Sequence, residues 1–250
     1  MLALITGATS GIGKSTAELF AKNGHNIIIT GRRKERLNQL KLKLETDFKI
    51  NVTCLCFDIR KLEEVEKAIN SLTEQNCKID VLINNAGLAA GLGSIQSGNI
   101  DHWERMIDTN IKGLLYITRA VSKLMIDNKK GHIINIGSIA GKEVYANGNV
   151  YCATKHAVDA LNKGMRIDLL AHNIKVTAIN PGMVETEFSI VRFDGDEQKA
   201  KNVYAGLQPL TPEDIAETIY WVANRPAHVN INDLVIMPTV QASATNVIRN

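Results

Sequence analysis

The chain has 250 residues, of which 45% are hydrophobic and 22% are charged, and its formal net charge is +3. This composition is typical of a globular protein that is long enough to bury one large core. Its basic residues are dispersed among acidic ones, which argues against a nucleic-acid-binding surface.

The four cysteines, Cys54, Cys56, Cys77 and Cys152, do not follow a zinc-ligand spacing, so we predict no metal site. The sequence shows no basic segment followed by an apolar leader, and no apolar run long enough to span a membrane. We therefore expect a cytoplasmic protein with reduced thiols and no membrane partner.

The first predicted strand, Leu2–Ile5, leads into a glycine-containing stretch, residues 6–13, and residues 15–23 have the pattern of an amphipathic helix. Strand, glycine turn and helix form the context of a phosphate-binding loop, because glycines let the backbone approach a pyrophosphate and the helix N-terminus offers free N–H groups. The glycine spacing, G-x-x-x-G-x-G, differs from the commoner G-x-G-x-x-G. The alternative is a tight turn without a ligand.

A second buried strand, residues 26–30, contains three consecutive isoleucines and ends at Gly31, Arg32 and Arg33. In a dinucleotide-binding fold this strand end meets the adenosine ribose. An acidic residue there binds the 2′-hydroxyl of NAD, whereas arginine suits the 2′-phosphate of NADP. The pair therefore favours NADP; the alternative is a solvated basic start to the helix predicted over residues 34–46.

Polar residues also follow the next two predicted strands. Asp58 ends the strand over residues 52–57, where it could accept a hydrogen bond from adenine or cap the helix over residues 62–72. The strand over residues 80–83 runs into Asn84-Asn85-Ala86-Gly87. These residues either line a cofactor cleft or satisfy the backbone of their own loop.

Residues 101–127 have a continuous helical pattern that contains Asn110, and Gly113 could permit a kink in it. The fifth predicted strand, residues 133–136, is followed by Ser138. After a loop, a helix begins near Tyr151, and its period places Tyr151 and Lys155 on one face. An ammonium beside a phenol favours the phenolate, so Lys155 should lower the pKa of Tyr151 and suit it to proton transfer. The alternative is an ordinary amphipathic turn.

A sixth strand is predicted over residues 175–179 and a last short one over residues 234–237. Between them, the lid segment (residues 183–210) has no clear period, as expected of a binding loop, and a helix starts at Thr211 with Pro212 in its first turn. Alternating strands and helices predict an α/β fold, a Rossmann-type doubly wound parallel sheet of about seven strands. We expect a single domain, with the dinucleotide part over residues 1–137 and the catalytic part over residues 138–250.

The ordered set of glycine loop, Asn84-Asn85-Ala86-Gly87, Asn110, Ser138, Tyr151 and Lys155 resembles the short-chain dehydrogenase/reductase family over nearly the full chain. Residues 187–196 and 226–232 resemble in particular its NADP-dependent 3-hydroxy acid dehydrogenases, which act on serine, L-allo-threonine or malonic semialdehyde. Residues 238–241 differ from the glycine-rich stretch that many members have after the last strand. This end often forms a subunit contact in the family, and the resemblance implies a homotetramer.

The resemblance implies the following roles. Tyr151 is the acid/base, Lys155 lowers its pKa and bonds the nicotinamide ribose, Ser138 orients the substrate oxygen, and Asn110 holds a water in a proton relay. The predicted NADP site comprises Gly7, Thr9, Ser10, Gly11, Ile12, Gly13, Arg32, Arg33, Asp58, Ile59, Asn85, Ala86, Gly87, Tyr151, Lys155, Pro181, Gly182, Val184 and Thr186. The predicted substrate contacts are Ser138, Tyr151 and Arg192, because arginine binds carboxylates bidentately.

The leading hypothesis is thus an NADP-dependent oxidoreductase acting on a small 3-hydroxy acid or 3-oxo acid. One alternative is a carbonyl reductase of another substrate class, such as 3-oxoacyl thioesters. A second is a non-catalytic NADP-binding regulator on the same fold.

Overall fold

A computed structural model describes residues 1–75 and 77–250. Seven parallel strands form one sheet in the order β3-β2-β1-β4-β5-β6-β7. The strands are β1 Leu2–Ile5, β2 Asn26–Gly31, β3 Val52–Cys56, β4 Val81–Asn84, β5 Gly131–Ile136, β6 Ile174–Pro181 and β7 Asp233–Ile236. The chain reverses its direction of travel across the sheet between β1 and β4, and clefts for nucleotides form at this switch point in such folds. The predicted Rossmann-type fold is confirmed.

The helices cover both faces of the sheet. In the described residues they are α1 Gly11–Lys22, α2 Lys34–Phe48, α3 Leu62–Glu74, α4 Ile100–Ile107, α5 Leu114–Asp127, α6 Asn149–Asp168, α7 Glu187–Arg192, α8 Glu197–Asn202 and α9 Pro212–Ala223. Thr211 and Asp214 form a capping box at the start of α9, as its sequence favours.

The strand residues alternate between two hydrophobic cores. Ile27 and Ile29 pack on the face covered by α1, α2 and α9, whereas Ile28 packs on the face covered by α3 and α5. All three are at most 1% exposed. A strand buried on both faces needs apolar residues at successive positions, which explains the continuous isoleucine run.

Residues 101–127 do not form one helix, as their pattern suggested. α4 ends at Ile107, a π-helical turn covers Asp108–Gly113, and α5 begins at Leu114. Gly113 packs against Ile59, and a Cβ on it would lie 2.9 Å from that side chain. Such a turn inserts one extra residue into the helix, and here the turn contains the buried Asn110.

The lid segment is also more regular than its sequence indicated, because it contains the short helices α7 and α8. Thr186 caps α7 by accepting a hydrogen bond from the backbone N–H of Phe188. Asp196 caps α8 in the same way through the N–H of Lys199. These caps are local signals that a search for long helical periods overlooks.

Candidate active site

A cavity of about 670 Å³ opens at the carboxyl ends of the strands, and it brings most of the predicted site residues together. Of the predicted set, only Gly13 and Asn110 do not line it. The others line it: Gly7, Thr9, Ser10, Gly11, Ile12, Arg32, Arg33, Asp58, Ile59, Asn85, Ala86, Gly87, Ser138, Tyr151, Lys155, Pro181, Gly182, Val184, Thr186 and Arg192.

The glycine loop has a backbone that side chains would obstruct. Gly7 and Gly11 have φ values of +67° and +50°, in the left-handed region that favours glycine. A Cβ on Gly13 would lie 2.5 Å from the carbonyl oxygen of Gly7 and 2.5 Å from the amide nitrogen of Asn85. Gly13 therefore lies beneath the loop rather than in the cavity wall. The loop leads directly into the N-terminus of α1, as a pyrophosphate site requires.

Arg33 lies between this loop and the lid segment. Its Nε and Nη2 atoms donate to the hydroxyl of Thr9 at 3.0 and 2.7 Å, and Nη2 donates to the hydroxyl of Ser10 at 2.8 Å. Its Nη1 donates to Glu187 at 3.0 Å. Arg32 is exposed at the cavity wall and has no ion pair within the described residues.

Asp58 does not cap α3. Its carboxylate accepts hydrogen bonds from the side chain and backbone of Arg60, and α3 begins at Leu62 after Lys61, without a side-chain cap. The hydrogen bond from Arg60 lowers the pKa of Asp58, so the carboxylate is charged at neutral pH. Asp58 lines the cavity, and its role as an acceptor for adenine stays a prediction.

Asn84, the last residue of β4, and Asn85, which follows it, point in different directions. The Asn85 side chain donates to the carbonyl oxygens of Thr6 and Gly7, which fixes the glycine loop. Asn84 is instead buried in the interior, where its amide donates to Thr118 and Asn135. Asn84 therefore does not line the cleft, because successive strand residues alternate in direction.

Asn110 is buried and bonds the loop after β4. Its Nδ2 donates to the carbonyl oxygen of Leu88 at 2.8 Å and to the hydroxyl of Thr154 at 3.0 Å, and its Oδ1 accepts from the N–H of Leu88 at 2.9 Å. A Cβ on Gly87 would lie 3.3 Å from Asn110 Oδ1 and 3.7 Å from Lys155 Nζ. Asn110 and Lys155 therefore flank the same glycine in the cavity wall.

Tyr151 and Lys155 lie in the first two turns of α6 and are both buried in the cavity wall, with exposed fractions of 9% and 8%. The amine of Lys155 donates to the carbonyl oxygen of Ile136 at 2.9 Å. Burial lowers the pKa of Lys155 to about 8, since a cation is costly where water is excluded.

Burial raises the pKa of Tyr151, and this differs from the lowered pKa that the Tyr-Lys spacing predicted. The neighbouring Tyr145 raises it further, whereas the Ser138 hydroxyl and the charge of Arg192 lower it. Loss of solvation outweighs the favourable neighbours, and the amine of Lys155 donates its hydrogen bond to a main-chain carbonyl oxygen.

The lid segment supplies the wall opposite Tyr151. The ring of Phe188 lies 5.7 Å from the Tyr151 ring at an interplanar angle of 61°. The guanidinium of Arg192 lies 5.7 Å from the Tyr151 ring centre and 5.5 Å from that of Tyr145. Arg192 therefore lies beside the ring of Tyr151, and its contact with a substrate carboxylate stays a prediction.

Several residues of the cavity wall were not predicted. They are Tyr145 in the loop before α6, Phe188 and Glu187 in the lid segment, and the tail residues Ala244, Thr245, Val247 and Arg249. Gln241 supports this wall by accepting a hydrogen bond from the N–H of Met183 at 2.8 Å. An aromatic residue in the loop before Tyr151 is a signal that could have identified Tyr145, whereas the tail residues follow no motif.

Comparison with known proteins agrees with this arrangement. The family model described as short chain dehydrogenase matches residues 1–196. The NADP-dependent 3-hydroxy acid dehydrogenase YdfG of Salmonella typhi is 50% identical over 245 residues, covering 98% of this chain and 97% of the relative. Serine 3-dehydrogenase of Agrobacterium fabrum is 44% identical over 241 residues, with coverages of 96% and 95%.

A solved structure extends the similarity to the whole fold. The closed form of serine dehydrogenase complexed with NADP+ superimposes with a TM-score of 0.92 at 46% sequence identity, and the match covers 100% of both chains. No described helix is both long and apolar enough to cross a bilayer. On the family match and these identities, the chain belongs to the short-chain dehydrogenase family.

Proposed function

We propose that this protein transfers a hydride between NADP(H) and a small 3-hydroxy acid or 3-oxo acid, of the serine, L-allo-threonine or malonic semialdehyde type. The relatives named above are NADP-dependent 3-hydroxy acid and serine dehydrogenases. The observation that supports the acid substrate is Arg192, whose guanidinium lies 5.7 Å from the ring centre of Tyr151. A guanidinium in the cavity wall suits a carboxylate, and a hydroxyl on the third carbon then extends towards the phenol.

The residues present fit NADP. The glycine loop, with Gly7 and Gly11 in the left-handed region, leads into the N-terminus of α1, and Arg32 and Arg33 after the end of β2 offer positive charge for a 2′-phosphate. The adenine would be held by Asp58 and Ile59. The central part of the cofactor would contact Asn85, Ala86 and Gly87. The nicotinamide end would contact Pro181, Gly182, Val184 and Thr186. When bound, the cofactor supplies the carbon that accepts or donates the hydride.

The protein's own contribution is the handling of the substrate oxygen. In oxidation, Tyr151 accepts the hydroxyl proton while the hydride leaves the carbon; in reduction it returns that proton. Ser138 donates a hydrogen bond to the same oxygen. Lys155 places a positive charge near the phenolate and the ribose, and Asn110 fixes the wall beside Lys155 and takes part in the proton relay. Phe188 and Tyr145 exclude water from this end of the cavity.

A turnover screen tests the substrate class. NADP reduction should be observed with L-serine, L-allo-threonine or another small 3-hydroxy acid. Arg192→Ala should reduce kcat/KM about 100-fold for 3-hydroxybutanoate, which is the loss of a charge-assisted contact of about 3 kcal/mol, and far less for the neutral 3-hydroxybutanamide. Arg119→Ala, on the exposed side of α5, is the matched control and should change neither value. Equal losses for both substrates would refute the carboxylate contact.

The same measurements separate the alternative functions. Turnover of 3-oxoacyl thioesters in preference to free acids would favour the reductase of another substrate class. NADP binding with no turnover of any substrate would favour the non-catalytic regulator. Tyr151→Phe removes the proton donor and should abolish turnover while retaining NADP binding, so full activity of this variant would contradict the proposed acid/base role.

We also propose that the protein assembles as a homotetramer in the cytoplasm. Exposed apolar side chains support self-association: Ile107 at the end of α4 and Leu115 in α5 are each 38% exposed. Light scattering after size-exclusion chromatography would give the mass of the assembly, and a monomeric mass would refute the proposal.

A further inference from the structure

Glu187, the first residue of α7, joins the lid segment to the arginines at the start of α2. Its carboxylate accepts from Arg33 Nη1 at 3.0 Å and from Arg36 Nη1 at 2.8 and 3.0 Å. Neither Arg36 nor this network is apparent from local sequence patterns, since Glu187 is more than 150 positions from both arginines. The three side chains are between 40% and 46% exposed, so the network is polar and partly solvated.

The same Arg33 guanidinium faces the glycine loop with its other edge, through Thr9 and Ser10. A phosphate group bound at this edge and the carboxylate of Glu187 would therefore contact opposite edges of the same guanidinium. The hydrogen bonds from Arg33 and Arg36 lower the pKa of Glu187, although burial alone would raise it, so the carboxylate is charged at neutral pH. Two negative groups that share one arginine repel each other.

Glu187 also affects the part of the cavity around Tyr151, because it begins α7, and α7 places Phe188 and Arg192 against the Tyr151 ring. The C-terminal end of α7 is attached separately, by a hydrogen bond from the N–H of Gly91 to the carbonyl oxygen of Arg192 at 2.8 Å. The ion pairs of Glu187 thus attach the N-terminal end of α7, a helix of six residues, to the start of α2.

We infer that Glu187 is a specificity-determining residue with two opposed effects: its carboxylate weakens binding of the cofactor's 2′-phosphate at Arg33, while its ion pairs hold α7 over Tyr151. The inference rests on the contact between Arg33 and the 2′-phosphate in the proposed function. It predicts that the wild-type protein binds NADP less tightly than its arginines alone would allow. In return, the wall that carries Phe188 and Arg192 stays closed over the phenol.

The test uses Glu187→Gln, which keeps the shape and removes the charge, with the exposed Glu185→Gln as the matched control. Glu187→Gln should bind NADP about threefold more tightly at 50 mM salt, the effect of one partly exposed charge, and the gain should shrink at 500 mM salt. NAD binding should not change. Backbone amides of residues 187–192 should exchange hydrogen about threefold faster in this variant. Glu185→Gln should match the wild type in all three measurements.

Arg36→Met separates the two effects, since it removes the attachment but keeps the carboxylate. Amide exchange in α7 should accelerate as in Glu187→Gln, whereas NADP binding should not become tighter. Weaker NADP binding by Glu187→Gln would mean that the carboxylate of Glu187 orients Arg33 for the phosphate. Unchanged amide exchange in that variant would mean that the carboxylate does not hold α7. Either result overturns the inference. Arg33→Met tests the underlying contact separately: if the preference for NADP over NAD survives in that variant, the proposed role of Arg33 is wrong instead.

Discussion

The pH dependence of ketone reduction follows from the burial of Lys155. Its side chain is 8% exposed, and its amine donates to the carbonyl oxygen of Ile136 at 2.9 Å. Burial disfavours the ammonium and lowers its pKa from the ordinary value of 10.5 to about 8. In the proposed mechanism, reduction requires Lys155 as a cation and Tyr151 as a protonated phenol. Because burial raises the pKa of Tyr151, the phenol stays protonated while Lys155 titrates.

The size of the effect follows from the fraction of charged Lys155. With a pKa of about 8, this fraction is roughly 0.9 at pH 7, roughly 0.5 at pH 8 and roughly 0.1 at pH 9. We therefore expect kcat/KM for reduction of a 3-oxo acid to fall about tenfold between pH 7 and pH 9. The sign is fixed by the direction of the shift: a lowered lysine pKa brings the loss of the cation into a range where an exposed lysine is still charged.

The assay follows NADPH absorbance at substrate concentrations well below KM, from pH 6 to pH 10 at constant ionic strength. Lys155→Arg should be slower but should lack the decline near pH 8, since a guanidinium remains charged throughout. Lys163→Arg, on the exposed side of α6, should retain the wild-type profile. A wild-type profile that is flat to pH 10, or a decline that persists in Lys155→Arg, would refute the assignment of this titration to Lys155.

Two further predictions concern the loop and the core. Gly13→Ala should weaken NADP binding, measured by titration, at least tenfold and should destabilise the fold, because the added Cβ would lie 2.5 Å from a carbonyl oxygen. Gly164→Ala is the control, because nothing lies within 4 Å of the added Cβ. It should stabilise α6 by about 0.5 to 1 kcal/mol. Burial lowers the pKa of His132 to about 3, so the unfolded chain binds a proton below about pH 6.5 that the folded chain does not. Stability should fall by about 3 kcal/mol between pH 7 and pH 4.5, as measured by urea unfolding, and His132→Gln should lose most of this decline while the exposed His228→Gln keeps it.

Features that depend on local pattern were predictable from the sequence. The isoleucine run of β2, the glycine loop and the start of α9 at Thr211 each follow from neighbours within a few positions, because backbone conformation and strand burial act over that range. The parallel sheet of about seven strands followed from the alternation of strands and helices, whereas its strand order was not predicted.

Features that depend on tertiary contacts were not predictable from the sequence. Nothing local distinguishes Asn84, which is buried against Thr118 and Asn135, from Asn85, which holds the glycine loop. The π-helical turn around Asn110 depends on packing of Gly113 against Ile59. Likewise, the raised pKa of Tyr151 reflects its burial, which the spacing between it and Lys155 does not encode.

The opposite pKa shifts of Tyr151 and Lys155 have a common consequence for the candidate site. Raising the pKa of a phenol and lowering that of an amine both favour the uncharged forms, so the buried pair stabilises a neutral phenol and resists formation of the phenolate. In the proposed mechanism the phenolate therefore needs stabilisation beyond the charge of Lys155, and Ser138 and Arg192 are groups that lower the pKa of Tyr151. Since Arg192 lies on α7, the proposed function links the position of the lid segment both to the pKa of Tyr151 and to binding of the substrate carboxylate. A substrate acid that holds Arg192 in place would thereby hold the group that prepares Tyr151 to accept its proton.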